Sequence, residues 1–310
     1  MNELRRPDHL RINGESVESI VQLESVRKAF RDTIAVRDIC LNIHCGARFG
    51  VVGDNGAGKS SLFNLIVGTA RPTCGSVRVF GLDPHENAEK VRSRIGFVSS
   101  NHPFPKWMRV SELLSFVREF YARWNRDFEL ELVEKLSINL KKRIRELSTG
   151  MLARVAILVA IAHEPDLLIL DEPFTGLDAV TRDEIQRLTK RFLDQRSNRV
   201  LLLATHHAEE IRCLVDSVLI LCGGNLAYGQ TIAHIGDTIK RVHLECSSEP
   251  NLDAISLIRS QRTSNGWVLI VNNWDDAMPA LIEKATSGRI ENICPVNLED
   301  CLLFRSADDD

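Results

Sequence analysis

Phe49-Gly-Val-Val-Gly53-Asp54-Asn55-Gly56-Ala57-Gly58-Lys59-Ser60-Ser61 decides the fold of this 310-residue chain. The apolar run Phe49 to Val52 opens into Gly53 to Ser60, which fits Gly-x4-Gly-Lys-Ser/Thr, and a helix-like stretch, Leu62 to Val67, follows. Strand, glycine-rich turn and helix start, in that order, frame a phosphate-binding loop. Successive backbone N–H groups of such a turn point inward onto phosphate oxygens, and the helix N-terminus adds a partial positive charge. Lys59 is expected to reach the β- and γ-phosphates, Ser60 to ligate Mg²⁺ through its hydroxyl, and Ser61 to face the α-phosphate.

Working outward, Leu167 to Leu170 is an unbroken apolar run that ends in Asp171 and Glu172. It reads as a parallel strand buried on both faces. Ligands of open α/β sheets sit at the C-terminal ends of such strands. Asp171 is therefore expected to hold Mg²⁺, directly or through water, and Glu172 to orient and polarise an attacking water. A second apolar strand, Val200 to Ala204, runs into Thr205 and His206. An imidazole at that point can bond a γ-phosphate and report its presence.

Leu147, Ser148, Thr149, Gly150 and Met151 precede the acidic pair and open a long helix through Ala162. With these motifs in this order, the chain resembles the nucleotide-binding subunit of ABC transporters over roughly residues 20 to 232. The resemblance implies ATP and Mg²⁺ as cofactors and two protomers facing each other head to tail, a homodimer in the presence of ATP. Each protomer would give its phosphate loop to one nucleotide, and Ser148 and Gly150 to the other. Phe30 falls where an aromatic residue stacks on adenine. Thr175 to Asp178 resembles the D-loop that touches the opposite site, and His206 falls on the switch-histidine position. Ser100 stands where the glutamine loop has its glutamine, so it would reach Mg²⁺ through water, with Asn101 as a substitute. Thr149 and Met151 depart from the family's Leu-Ser-Gly-Gly-Gln.

The implied fold is α/β: a P-loop NTPase core with an antiparallel β layer and an inserted helical subdomain, plus a small C-terminal α+β domain. The implied function is ATP hydrolysis driving a separately encoded transmembrane permease, with the subunit cytoplasmic and peripheral on the membrane. The loop His102 to Met108 is expected either to meet a cytoplasmic helix of that permease or to pack inside the helical subdomain. Two other readings stay open: a soluble ABC-type ATPase outside transport, and an ATP-sensing scaffold of weak turnover, suggested by Ser100, Thr149 and Met151.

Composition narrows the classes. Hydrophobic content of 44% and charged content of 26% are ordinary for a globular chain. No run reaches the roughly 18 apolar residues of a membrane span, and no secretory apolar segment opens the chain. A net charge of −3 gives no basic footprint for nucleic acid, and Lys141, Lys142, Arg143 and Arg145 read as a solvated cluster. The 8 cysteines form no Cys-x-x-Cys pair; Cys40, Cys213 and Cys222 read as reduced core residues in strands.

Residues 1–18 read as a flexible tail, 19–236 as the nucleotide-binding domain with its helical subdomain over about 101–162, and 237–310 as an accessory α+β domain. Val21 to Val26, Asp38 to Ile43 and Ser76 to Phe80 alternate as strands of the antiparallel layer. Ser111 to Tyr121 and Asp127 to Leu136 carry helical patterns. In the C-terminal part, Arg241 to Glu245, Trp267 to Val271 and Arg289 to Ile293 are predicted strands, and Leu252 to Arg259 and Trp274 to Lys284 predicted helices. Asp308 to Asp310 is a solvated acidic end.

Overall fold

The computed structural model describes residues 18–31, 33–246, 250, 252, 255–264, 266–286 and 288–296. The tail expected over 1–18, apart from Glu18, and the acidic end Asp308 to Asp310 lie outside the described residues.

A hairpin of β1 (Ser19–Phe30) and β2 (Thr33–His44) comes first, and β3 (Arg48–Val52) leads through the glycine loop into α1 (Lys59–Val67). Strand β4 (Cys74–Val79) returns to β1, which closes an antiparallel sheet of order β2-β1-β4. Short helix α2 (Ala88–Arg92) precedes β5 (Ile95–Val98). The inserted helices follow: α3 (Val110–Arg118), α4 (Arg126–Lys135) and α5 (Thr149–Ile161). The chain then alternates through β6 (Leu167–Asp171), α6 (Ala179–Asp194), β7 (Val200–Ala204), α7 (Ala208–Leu214), β8 (Ser217–Cys222) and β9 (Asn225–Thr231). These strands form a six-stranded sheet of order β5-β6-β7-β3-β8-β9, parallel except for the antiparallel edge strand β9.

Unbroken apolar strands suit this sheet because both of its faces are covered. Along β6, Leu168 and Leu170 enter a core shared with the inserted helices, and Leu167 and Ile169 enter a core shared with α1 and the antiparallel sheet. Strand β7 divides in the same way, Leu201 and Leu203 to one side and Leu202 and Ala204 to the other. The period-2 alternation therefore feeds two cores from each strand. Chain order crosses over at β3, which lies between β7 and β8. In an open α/β sheet such a crossover places the ligand crevice at the adjacent C-terminal strand ends.

A glutamate anchors the inserted helices. Glu129 is 2% exposed, yet it accepts from Trp124 Nε1 at 2.6 Å, Arg126 Nη1 at 2.6 Å and Arg118 Nη2 at 3.1 Å. Buried charge is tolerated where pairing and hydrogen bonds are this complete.

After α8 (Ile232–Thr238), the chain builds a smaller α+β unit from β10 (Lys240–Glu245), β11 (Leu257–Thr263), β12 (Gly266–Val271), α9 (Met278–Thr286) and β13 (Arg289–Pro295). Its sheet has the order β11-β12-β10-β13, and Val242, Leu244, Leu269, Val271, Met278 and Ile282 fill its core. Two expectations change here. From Leu257 the helix predicted over Leu252 to Arg259 gives way to β11, whose register Thr263↔Gly266 makes a tight hairpin with β12, and Asp253 and Ala254 lie outside the described residues; tertiary pairing overrides a local helical pattern. The helix predicted over Trp274 to Lys284 starts at Met278, because the Asp275 carboxylate accepts from Ala277 N–H at 3.0 Å and turns the chain first. The cysteine expectation also fails in part: Cys40 is exposed on the outer face of β2, and Cys213 lies on α7.

Candidate functional site

Four strand ends meet at one edge of the large sheet. The registers Val51↔Ala204, Asp171↔Ala204 and Val98↔Leu170 set the exits of β3, β7, β6 and β5 side by side. The glycine loop, the acidic pair, the switch histidine and Ser100 leave from those exits.

Gly58 caps α1 at φ 103, and a Cβ there would lie 2.1 Å from the Ala35 carbonyl oxygen of β2. Only a glycine lets the loop pass that close. Asn55 and Gly56 are open to solvent, while the Ala57 N–H donates to the Asp54 carbonyl at 3.1 Å and so is engaged within the loop. Lys59 is 8% exposed and donates from Nζ to the carbonyls of Gly53 at 2.6 Å and Asp54 at 2.9 Å. Burial lowers its pKa, against the opposing charges of Glu172, Asp171 and Asp54. The ammonium is therefore poorly solvated, its hydrogen bonds go to two carbonyls, and it is poised to exchange them for phosphate oxygens.

The Ser60 hydroxyl lies beside the buried Asp171 carboxylate and interacts with it. Burial pushes the Asp171 carboxyl up, and the Ser60 hydroxyl and Lys59 charge pull it down. A hydroxyl beside a carboxylate is the hard oxygen pair that suits Mg²⁺. Glu172 adopts φ 51, a left-handed backbone costing of order 1–3 kcal/mol for a non-glycine residue, while its N–H is held by the Ala204 carbonyl at 2.9 Å. The kink turns its carboxylate onto neighbours. Glu172 Oε2 lies 2.8 Å from His206 Nδ1 and accepts from the Thr175 hydroxyl at 3.3 Å. His206 is otherwise half exposed.

The remaining candidates sit apart from this cluster. Ser148 caps α5, its hydroxyl accepting from Met151 N–H at 3.3 Å. Gly150 lies over Thr181, where a Cβ would come within 3.4 Å of Cγ2. Asp178 caps α6: one carboxylate oxygen accepts from the Thr181 N–H at 2.9 Å and the other from the Thr181 hydroxyl at 2.8 Å, which holds its carboxyl below the usual range. Both oxygens are thus occupied by its own helix. Phe30 is 51% exposed at the end of β1, with the Lys28 ammonium 4.7 Å from its ring centre. Ser100 and Asn101 are exposed in the turn after β5.

The profile of the ABC transporter family matches residues 36–175. The Nod factor export ATP-binding protein I of Neorhizobium galegae is 30% identical over 295 residues, spanning 91% of this chain and 84% of that protein. The chain belongs to the ABC transporter family. The bacitracin transport ATP-binding protein BcrA of Enterococcus faecalis is 28% identical, with 71% of each chain covered. A bacterial ABC transporter cassette solved as a dimer superposes with a TM-score of 0.61 at 24% identity, over 68% of this chain and 98% of that one, which establishes the shared fold. The cassette is an ATP-hydrolysing subunit of a transporter. Among the described residues, no helix is long and apolar enough to cross a membrane.

On the cassette's helical insert, the loop His102 to Met108 divides. Phe104 and Met108 pack against the core, and Trp107 is 64% exposed. Sequence reasoning missed two exposed rings of the insert: Phe116 on α3 and Phe120 in the turn after it meet edge to face at 5.1 Å. Their i,i+4 spacing was the available signal. It also missed Glu210 and Arg182, buried or half-buried charges behind the switch histidine.

Proposed function

We propose that the cassette hydrolyses ATP with Glu172 as the group that orients and polarises the attacking water and His206 as the sensor of the γ-phosphate. The contact between Glu172 and His206 at 2.8 Å, at the strand end that also carries Asp171, carries this reading. A carboxylate and an imidazole in hydrogen-bond reach at the end of a phosphate loop are suited to moving a proton from water as the terminal phosphoryl departs. Lys59 and the N–H groups of the loop bind the β- and γ-phosphates, and Phe30 stacks on the base. Ser60 and Asp171 would hold Mg²⁺, which supplies charge neutralisation at the phosphates. Ser100 is at the margin of that set.

Ser148 and Gly150 cap the nucleotide of the facing protomer with the N-terminus of α5, and Asp178 shapes the turn that touches the opposite site. Nucleotide is then part of the interface: binding closes the pair and hydrolysis lets it open. Trp107, with Phe116 and Phe120, is the surface that meets a cytoplasmic helix of the permease. The cassette works at the cytoplasmic face of the membrane, and residues 237–310 act as an accessory regulatory or dimer-supporting unit. The relative from Neorhizobium galegae is named for Nod factor export, which supports export as the direction of transport.

The test is Glu172→Gln. ATP binding should persist, turnover should fall at least about a hundredfold, and an ATP-stabilised dimer should accumulate. Wild-type turnover in this variant would remove Glu172 from the role.

A further inference from the structure

Behind His206 lies a buried carboxylate that the hydrolytic scheme does not use. Glu210, on α7, is 1% exposed. Its Oε2 accepts a hydrogen bond from the Thr205 hydroxyl, and that hydroxyl oxygen in turn accepts from His207 N–H at 3.1 Å. One carboxylate oxygen thus braces both neighbours of His206. The other oxygen, Oε1, faces Arg182 Nε of α6 at 3.8 Å, and neither of these two buried atoms has a hydrogen-bond partner. Arg182 reaches in the opposite direction as well, donating from Nη2 to the Leu177 carbonyl at 3.3 Å. Leu177 belongs to the turn Thr175 to Asp178, whose Thr175 hydroxyl also touches Glu172.

We propose that Glu210 and Arg182 are positioning residues that pass movement of the Thr175 to Asp178 turn to the His206 switch. The inference rests on the reading that Glu172 and His206 carry hydrolysis. A separation of 3.8 Å lies just outside hydrogen-bond range, so a shift of under about 1 Å closes or opens the link. In the closed pair that turn faces the second protomer, and its displacement moves the Leu177 carbonyl and with it the Arg182 guanidinium. The pull reaches Glu210, then Thr205, and resets the imidazole against Glu172 at 2.8 Å. Packed side chains with two discrete arrangements are what such coupling requires. The charges facing Glu210 are Arg182 from α6, Glu172 from the end of β6 and His206 from the switch turn. Burial pushes the Glu210 carboxyl up to about 7, so the strength of its pairing with Arg182 responds to small movements.

The experiment compares Glu210→Gln, Arg182→Gln and the double variant in the full chain, by steady-state hydrolysis of Mg-ATP and by ATP-driven dimerisation. Glutamine keeps the shape of Glu210 and its bond to Thr205 but carries no charge for Arg182. The expected result has three parts: kcat falls about tenfold or more in each single variant, KM changes less than about threefold, and the double variant is no slower than the slower single one. The dimerising fraction should stay at the wild-type level. If kcat of Glu210→Gln stays within about twofold of wild type, if the two losses multiply, or if dimerisation falls in proportion to kcat, the coupling is overturned. Glu172→Gln run in parallel separates the two readings. A dead Glu172→Gln beside an active Glu210→Gln sinks only the coupling, whereas an active Glu172→Gln sinks the site assignment itself.

Discussion

Two alanine substitutions in one glycine loop should differ in cost, and the difference can be worked out from the backbone. At Gly58 the residue sits at φ 103, and a Cβ would press to 2.1 Å against the Ala35 carbonyl oxygen. Ordinary contact begins about 1 Å farther out, so either β2 or the loop must give way. Strand β2 is not free to move there: the neighbouring Arg37 N–H is bonded to the Gly224 carbonyl at 2.7 Å, and Gly224 N–H bonds the Ala57 carbonyl at 3.2 Å. The left-handed backbone contributes roughly 1–2 kcal/mol and overpacking roughly 1–3 kcal/mol, so Gly58→Ala should cost about 2–5 kcal/mol. Gly56 has φ 85 and no atom within 4 Å of an added Cβ. Gly56→Ala should therefore cost only the conformational part, roughly 1–2 kcal/mol. Urea unfolding of the two variants in matched buffer measures the gap, and an ATP titration of each shows whether the displaced loop still binds phosphate. Equal urea midpoints would mean that the close approach of the loop to β2 has been misread.

Other outcomes follow from the same structure. Glu129→Ala strands Trp124 and the two arginines around a buried site and should cost about 3–5 kcal/mol in thermal or urea unfolding. A loss below about 1 kcal/mol would deny Glu129 its role as anchor. Trp107→Ala should leave ATP hydrolysis unchanged and weaken copurification with the permease; undiminished association would place the contact elsewhere. Lys59→Ala should abolish ATP-dependent dimerisation, read by gel filtration with and without Mg-ATP, and a persistent dimer would show that nucleotide is not the glue.

Glu210 also makes stability depend on pH. Its carboxyl lies at about 7 in the fold against an ordinary 4.5, so the folded chain keeps a proton that the unfolded chain releases. That contribution is full below about pH 4.5 and is lost as pH rises through about 7, a change of about 3 kcal/mol. Wild type minus Glu210→Gln, measured by urea unfolding across that window, should fall by about this amount, and a flat difference would contradict the burial argument.

Much of the candidate site is legible in the sequence. Gly53 to Ser61 announces itself because the chemistry of phosphate binding needs consecutive backbone donors, a lysine and a hydroxyl at fixed spacing along one turn. Asp171 and Glu172 were legible because a strand buried on both faces leaves an apolar run with an abrupt polar end. The C-terminal hairpin was not, since the Leu257 to Thr263 segment is a strand only through its pairing with Gly266 to Val271. The outward placement of Cys40 was equally hidden, because an alternating strand shows which residues share a face but not which face meets the core.

By itself, then, the sequence determined what rests on local spacing: the phosphate loop, the polar strand ends and the α/β alternation. Tertiary structure alone decided what long-range packing brings together. It set His206 against Glu172 across 34 residues of chain, put Glu210 between Thr205 and Arg182, and left Trp107 outside while drawing Phe104 and Met108 in. The reason is physical: hydrogen bonds along a turn are encoded by neighbours, whereas a contact between strand ends depends on sheet order, which no local pattern records.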